Sequence, residues 1–270
     1  MPIEIDGEVR QLSEAEFLRV AYALTGAAFA LHKEYGAMFN ERLYKLELAA
    51  ACQKLGFDSV AVELPIHVLW GDFRKDYFID LLVAGGALFE LKVAAALVEA
   101  HRAQTLNYLF LTGLARAKLF NLGAASVQHE FVSTQLSPAL RRRMNVDSQR
   151  WIDTGPASVR FRHLLLELLG DWGLFLELPL YYRALIHFFG GPDHVIRDIP
   201  ILRDGRHVTT QRAHLLDSAN AFKLTALDTG LNTVEEHLHR FLSHTELEAI
   251  HWVNLYHHDV RFVTIKRRKK

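Results

Sequence analysis

Phe78-Ile79-Asp80-Leu81-Leu82-Val83, then Ala84-Gly85-Gly86, then Ala87-Leu88-Phe89-Glu90-Leu91-Lys92-Val93 are two apolar runs joined by a short glycine-containing turn. That is the pattern of a β-hairpin. With the turn centred on Gly85, antiparallel pairing sets Asp80 opposite Glu90. Side chains alternate along a strand, so Lys92 shares the face of Glu90. Cross-strand neighbours stand roughly 5 Å apart, and like charges there destabilise a sheet. Two facing carboxylates on an apolar hairpin call for a cation. A hard ion such as Mg²⁺, which takes carboxylate oxygens and keeps several waters, meets that need. Lys92 then lies where it could hold or activate a water on the ion, or offset charge developing on a phosphate. The plainer alternative is a solvated strand end at which Lys92 pairs with Glu90 or Asp80.

Around this hairpin stands a chain of 270 residues, long enough for one large domain or two ordinary ones. Half of its residues are hydrophobic and 23% are charged, a globular composition. Its 31 basic and 31 acidic residues cancel. A protein that coats long duplexes without specificity would be more basic, although neutrality leaves room for a local basic groove. The single cysteine, Cys52, rules out an intramolecular disulfide and suits a reducing cytoplasm. Its Ala-rich setting predicts a buried, small apolar role. The N-terminus does not read as a signal peptide, and no apolar run is long enough to span a bilayer. A cytoplasmic protein without membrane association is expected.

Ser13 and Glu16 have the spacing of a capping box, with Leu12 and Phe17 placed as a hydrophobic staple, so a first helix is predicted from there to Tyr35, stopped by Gly36. A second, from about Phe39 to Leu55, carries Glu41 and Tyr44 one turn apart on one face. Ser59 to Trp70 reads as a strand, broken or edged by Pro65. After the hairpin, a helix from about Val98 to Thr112 puts His101, Gln104 and Tyr108 on one face. Ala117 to Leu122 reads as a fourth strand. Helix, three strands, helix, strand is an α/β sandwich round a mixed sheet. Residues 134–157 change character and are expected to be a connector, with some helix near Pro138. Within it Arg141-Arg142-Arg143 forms either a solvated face or part of a nucleic-acid surface.

The pattern then recurs. Gly173 to Glu177 echoes Gly36 to Asn40, with Tyr181 answering Tyr44. Arg197 to Ile201 matches Val62 to Ile66, Phe222-Lys223-Leu224 matches Phe89-Glu90-Leu91, and Val253-Asn254-Leu255 matches Phe120-Asn121-Leu122. The offset drifts from 137 to 133, as a few loop deletions would produce. A tandem duplication is expected, with domains at 1–133 and 158–270. In the second copy Asp80 aligns with His214, Glu90 with Lys223, Lys92 with Thr225 and Glu41 with Leu178, so no carboxylate pair remains. Pairing of two copies, as a homodimer or as a pseudo-dimer within one chain, is compatible with such a duplication.

Gly36-Ala37-Met38-Phe39-Asn40-Glu41-Arg42-Leu43-Tyr44, Ile79 to Val83, Glu90-Leu91-Lys92 and His101 to Leu109 follow one another in the order seen in the GxxExxY proteins. Residues 14–125 resemble that branch of the PD-(D/E)XK nuclease superfamily. The resemblance implies a restriction-endonuclease-like α-β-β-β-α-β sandwich. It also implies hydrolysis of phosphodiester bonds in DNA or RNA, with one or two Mg²⁺ or Mn²⁺ ions. Asp80 and Glu90 would be metal ligands and Lys92 the catalytic lysine. Glu41 would approach the metal or its waters, and Gln104 would orient a phosphate or water. His101 and Tyr108 would line the same helix face, with Tyr44 also on the substrate side. Two positions depart from the pattern: Met38 stands where the naming glycine would be, and Phe78 where a basic residue often precedes the aspartate.

A non-catalytic module, binding nucleic acid or a protein partner on the same fold, is the rival expectation. The 15 histidines raise zinc, but one cysteine and no HExxH speak against it. The basic run at 266–270 reads as a solvated end that could steer a polyanion.

Overall fold

The computed structural model describes residues 2–267, so the last three residues of the basic tail lie outside the described chain. Two compact units divide at Pro138, Met1–Pro138 and Ala139–Lys270.

The first unit runs β1 (Ile3–Ile5), α1 (Glu14–Tyr35), α2 (Glu41–Lys54), β2 (Val60–Trp70), β3 (Phe73–Val83), β4 (Ala87–Lys92), α3 (Glu99–Thr112), β5 (Arg116–Asn121) and β6 (Gln128–Ser133). The expected α-β-β-β-α-β series is there as α2 to β5. It is extended by the expected α1 before it and, beyond expectation, by the strands β1 and β6 at the two edges of the sheet. Ser13 caps α1 with the full capping box, and Leu12 and Phe17 are buried in one core. Asn40 caps α2 through a 3.1 Å bond from the Leu43 N–H.

The six strands form one mixed sheet in the order β1-β2-β3-β4-β5-β6, antiparallel except where β4 runs parallel to β5. Both α1 and α2 pack on Leu81, Val83, Ala87, Phe89, Leu91, Phe120 and Leu122, and Cys52 lies in that core, its thiol pushed up to about 11 by burial. Helix α3 packs along β5 and β6 and adds nothing to this core. Phe29 is exposed and edge-on to His129.

Strand β2 is neither broken nor edged by Pro65. Pro65 pairs with Phe78 in the β2–β3 ladder, and its carbonyl takes the Asp6 N–H from the β1 side. Registered pairing with β1 ends at Ile5↔Ile66, so the missing proline N–H falls where that ladder stops. The break lies two residues earlier, at Glu63, whose φ is +51°.

The second unit follows with α4 (Pro138–Arg141), β7 (Asn145–Arg150), α5 (Pro156–Trp172), α6 (Leu178–Phe188), α7 (Pro192–Val195), β8 (Ile196–Arg203), β9 (Arg206–His214), β10 (Asn220–Thr225), α8 (Leu231–Ser243), β11 (Ala249–Tyr256) and β12 (Asp259–Lys266). Residues 134–157 are therefore not a bare connector: β7 pairs in parallel with β12 and belongs to the second unit's four-stranded sheet, β10-β11-β12-β7. Nor are the three arginines a uniform surface. Arg141 is buried and its Nη1 donates to the Trp172 and Leu174 carbonyls, closing the end of α5.

From α5 onward, with the short α7 set aside, the order of the first unit returns: two helices, two antiparallel strands, a third strand, a helix, two strands. The details return as well. Tyr44 donates its hydroxyl to the carbonyl of Gly36, the C-cap of α1, and Tyr181 donates to Gly173, the C-cap of α5. Asn121 clasps the backbone of Ala94 by both amide atoms, as Asn254 clasps Leu227.

Candidate active site

Strands β3 and β4 pair from Val83↔Ala87 to Leu81↔Phe89 round a turn in which Ala84 and Gly85 both have positive φ. One residue further on, where Asp80 and Glu90 would be next in register, the ladder ends. Beyond it β4 continues beside β5 alone, through Lys92↔Asn121. At this fork the Leu91 N–H, which has left the β3 ladder, donates to Asp80 Oδ2 at 2.8 Å. On the other side of β3 the ladder to β2 skips the position between Val62↔Leu81 and Leu64↔Ile79. Glu63 stands there in the left-handed region, a conformation a non-glycine residue holds at a cost of order 1–3 kcal/mol. Two interruptions thus meet at Asp80.

The carboxylates are buried, Asp80 at 6% exposure and Glu90 at 1%. Lys92 Nζ lies 2.5 Å from Glu90 Oε1. Glu90 Oε2 is buried with no hydrogen-bond partner among the described residues. Burial, and after it the charge of Asp80, push Glu90 up to about 8, against the opposing pull of Lys92.

A second lysine completes the site. From one turn inside α2, Lys45 Nζ reaches Asp80 Oδ1 at 2.7 Å, Glu41 Oε1 at 2.9 Å and Glu63 Oε1 at 3.4 Å. Burial works against its charge, but hydrogen bonds and charge from Asp80 and Glu41 outweigh it and hold the ammonium protonated. Neither Lys45 nor Glu63 was singled out from the sequence. The i,i+4 spacing of Glu41 and Lys45 was the one available sign, and it reads equally as a surface pair.

The other expected residues are placed differently. Tyr44 is fully buried and donates its hydroxyl to the Gly36 carbonyl, tying α2 to the end of α1. His101 Nδ1 takes the Val98 N–H at 3.3 Å and caps α3. Gln104, exposed, donates to the Tyr108 hydroxyl at 3.2 Å, and Tyr108 lies edge-on to Tyr77. The side-chain hydrogen bonds described for His101 and Gln104 stay within α3 and its cap; the geometry gathers Asp80, Glu90, Lys92, Glu41, Lys45 and Glu63.

Among the described residues no three His, Cys, Asp or Glu side chains converge as a closed metal cage. A Mg²⁺ or Mn²⁺ site asks for less: one or two carboxylates, with waters and substrate phosphate filling the rest. The donor set is all oxygen, and the orphaned Glu90 Oε2 beside a second carboxylate lacks the positive partner such an ion supplies. The residues fit the ion.

In the second unit three registers recur at an offset of 133: Lys92↔Asn121 corresponds to Thr225↔Asn254, Asn121↔Gln128 to Asn254↔Arg261, and Leu82↔Leu88 to Leu215↔Ala221, while the β8–β9 ladder is shifted by one residue on β8 relative to β2–β3. By that offset Ala213, not His214, stands where Asp80 does. Lys223 replaces Glu90 and is exposed, and Thr225 replaces Lys92 and takes the Trp252 Nε1–H. His214 instead packs on Tyr182 and Phe222.

No helix among the described residues is long and apolar enough to cross a membrane. Nothing among curated proteins or solved structures matches the chain. Residues 19–133, which run from inside α1 to the end of β6 and take in all six residues of the site, match the family model of the PD-(D/E)XK nuclease superfamily.

Proposed function

We propose that the first unit hydrolyses phosphodiester bonds of a nucleic acid, with one or two Mg²⁺ or Mn²⁺ ions held by Asp80 and Glu90. The observation that carries this reading is the orphaned Oε2 of Glu90, buried near Asp80, with Lys92 engaged 2.5 Å away on the other oxygen, Oε1. A bound divalent ion would supply Lewis-acid stabilisation of the scissile phosphate and a more acidic water. Asp80 presents Oδ1 once Lys45 shares or yields it, while the Leu91 N–H keeps Oδ2 in place. Lys92, a donor at Nζ, orients the attacking water and offsets charge on the phosphate as it becomes five-coordinate. Glu41 and Glu63 hold Lys45 and any water at the rim. The roles of Gln104, His101 and Tyr108 toward substrate, and the finer likeness to GxxExxY proteins, rest on the resemblance of their sequence blocks.

The second unit, on this reading, is a diverged tandem copy that has lost the chemistry. Its matching registers and its Tyr181 and Asn254 bonds support common descent; Ala213, Lys223 and Thr225 leave nothing to hold an ion.

The deciding experiment incubates the purified chain with labelled single- and double-stranded DNA and RNA, in Mn²⁺, Mg²⁺ or EDTA, beside Lys92→Ala and Glu90→Gln. Metal-dependent cleavage lost in both variants is expected. Equal cleavage by Glu90→Gln would defeat the proposal. A second reading, a non-catalytic nucleic-acid-binding module, is favoured by Lys45, whose ammonium already compensates Asp80 without any metal. It predicts retention of nucleic acid with no response to divalent ions.

A further inference from the structure

We propose that the β8–β9 ribbon is a contact surface for double-stranded DNA, entering the major groove and touching the flanking phosphates. This deepens the nucleic-acid reading by naming the polymer, and depends on that reading only for the polymer's class.

A strand that covers a core alternates buried and exposed residues. Strand β3 does so at Phe73, Tyr77 and Ile79. Strand β9, at the same place in the order of elements, does not: from Arg206 through Arg212 all seven residues are exposed, on both faces. Core packing therefore gives no reason for this length of regular strand. The ribbon is held along β8: toward the base Ile199 and Ala213 join the second unit's core, and one residue short of the tip Leu202 donates its N–H to the His244 carbonyl at 2.7 Å while its carbonyl accepts from His244 Nδ1 at 2.9 Å, which leaves β9 as the exposed strand.

What the exposed part displays is Arg206-His207-Val208-Thr209-Thr210-Gln211-Arg212, rich in hydrogen-bond donors and without a carboxylate. At the tip Arg203 pairs directly with Arg206. Like charges opposite one another destabilise a sheet, so this pair is better satisfied by an anion than by water. The nearby acids hold the arginines only loosely: Arg212 lies 3.8 Å from Asp198 and Arg203 lies 3.9 Å from Asp204, all four exposed. Such pairs are worth little and exchange readily for phosphates. Arg206 and Arg212 stand about 20 Å apart along the strand, a span that reaches the backbones on both sides of a major groove roughly 12 Å wide. That groove admits a two-stranded ribbon, whereas the deep, narrow major groove of duplex RNA does not.

The test measures binding of the full chain to a short labelled duplex by fluorescence anisotropy in EDTA, across a salt series, so that no cleavage enters. Arg206→Ala/Arg212→Ala is expected to weaken binding at least about tenfold and to reduce the salt slope by about two. Arg206→Lys/Arg212→Lys is expected to keep the slope. The control Lys33→Ala/Lys54→Ala, removing two exposed charges of the first unit, should change neither comparably. An unchanged slope, an equal loss in the control, equal affinity for duplex RNA, or no duplex binding by the wild type would each overturn the ribbon proposal. Metal-dependent cleavage that survives the ribbon substitutions would leave the nuclease reading standing alone.

Discussion

Glu90 and Lys45 make opposite demands on the same few cubic ångströms. The carboxyl group of Glu90 is pushed up to about 8, so near neutral pH the metal-free site favours its protonated form. A raised acid pKa contributes stability that is complete below the unfolded value and is lost as pH climbs through the folded one. The metal-free protein should therefore lose stability from this group between about pH 4.5 and pH 8, while Mn²⁺, which on this reading needs the carboxylate, should stabilise more strongly as pH rises through the same window. Thermal melts with EDTA and with Mn²⁺ check both slopes, and a Mn²⁺ effect that shrinks with rising pH would contradict the assignment. Glu90→Gln removes the titration, and its metal-free melting temperature at about pH 8 should match or exceed wild type. Lys45→Met takes the opposite course. It strands Asp80 without its cation, and losing one partner of a buried pair costs about 3–5 kcal/mol. In EDTA the variant should unfold at much lower urea, and Mn²⁺ should recover part of the loss. Neither Lys45 nor Glu63 was legible beforehand, because the burial of a lysine one turn inside a helix and a positive φ in mid-strand leave no mark on composition or periodicity. Asp80, Glu90 and Lys92 were legible because charges in an apolar alternating run break the pattern they sit in.

At the level of elements, the β3–β4 hairpin is fixed by its turn and by what presses on it. A Cβ at Gly86 would lie 2.2 Å from the Arg10 carbonyl oxygen and 2.8 Å from Leu12 Cγ, so the chain before α1 passes over a position that has room only for hydrogen. Gly86→Ala must move that segment, which also carries the α1 cap, and a loss of about 1–3 kcal/mol is expected. At Gly85, with φ +67° and nearest atoms at 3.6 Å, alanine meets a conformational penalty of about 1 kcal/mol and no clash. Urea midpoints of the two variants should differ in that order; equal midpoints would mean the overlying segment is loosely held. The helices around the hairpin were readable from their punctuation, Ser13 with Glu16 at one end and Gly36 and Gly113 at others. Strand β7 was not. Asn145-Val146-Asp147-Ser148-Gln149-Arg150 has one apolar residue and no exposed-buried alternation. It is a strand because β12 offers backbone partners and Asp259 and Arg261 meet Asn145 and Asp147. Information of that kind sits more than a hundred residues away in the chain.

Taken as a whole molecule, the two units share an order of elements and a set of strand registers, yet only one holds a carboxylate pair. Shared scaffolding predicts shared energetics where the same bond recurs. Tyr44→Phe and Tyr181→Phe each remove a hydroxyl from a helix C-cap carbonyl, and each should cost about 1 kcal/mol. Divergence predicts unshared ligand response. Ions held by Asp80 and Glu90 should slow backbone exchange in α2, β3 and β4, where the ladders part and the local structure is least cross-braced. In the second unit Ala213 supplies no oxygen, Lys223 repels a cation, and Thr225 is occupied by Trp252 and Asn254. Hydrogen exchange read by mass spectrometry, with and without Mn²⁺, should therefore show protection confined to the first unit. Protection at β10 or the end of β9 would mean that the second unit binds the ion through groups other than the matched positions, and the account of a lost site would fall. Protection in neither unit, under conditions where the wild type cleaves, would remove Asp80 and Glu90 as ligands while leaving the shared architecture untouched. The two kinds of result separate because the fold rests on backbone registers and buried apolar faces, whereas the proposed ion would rest on two side-chain oxygens at one fork in one sheet.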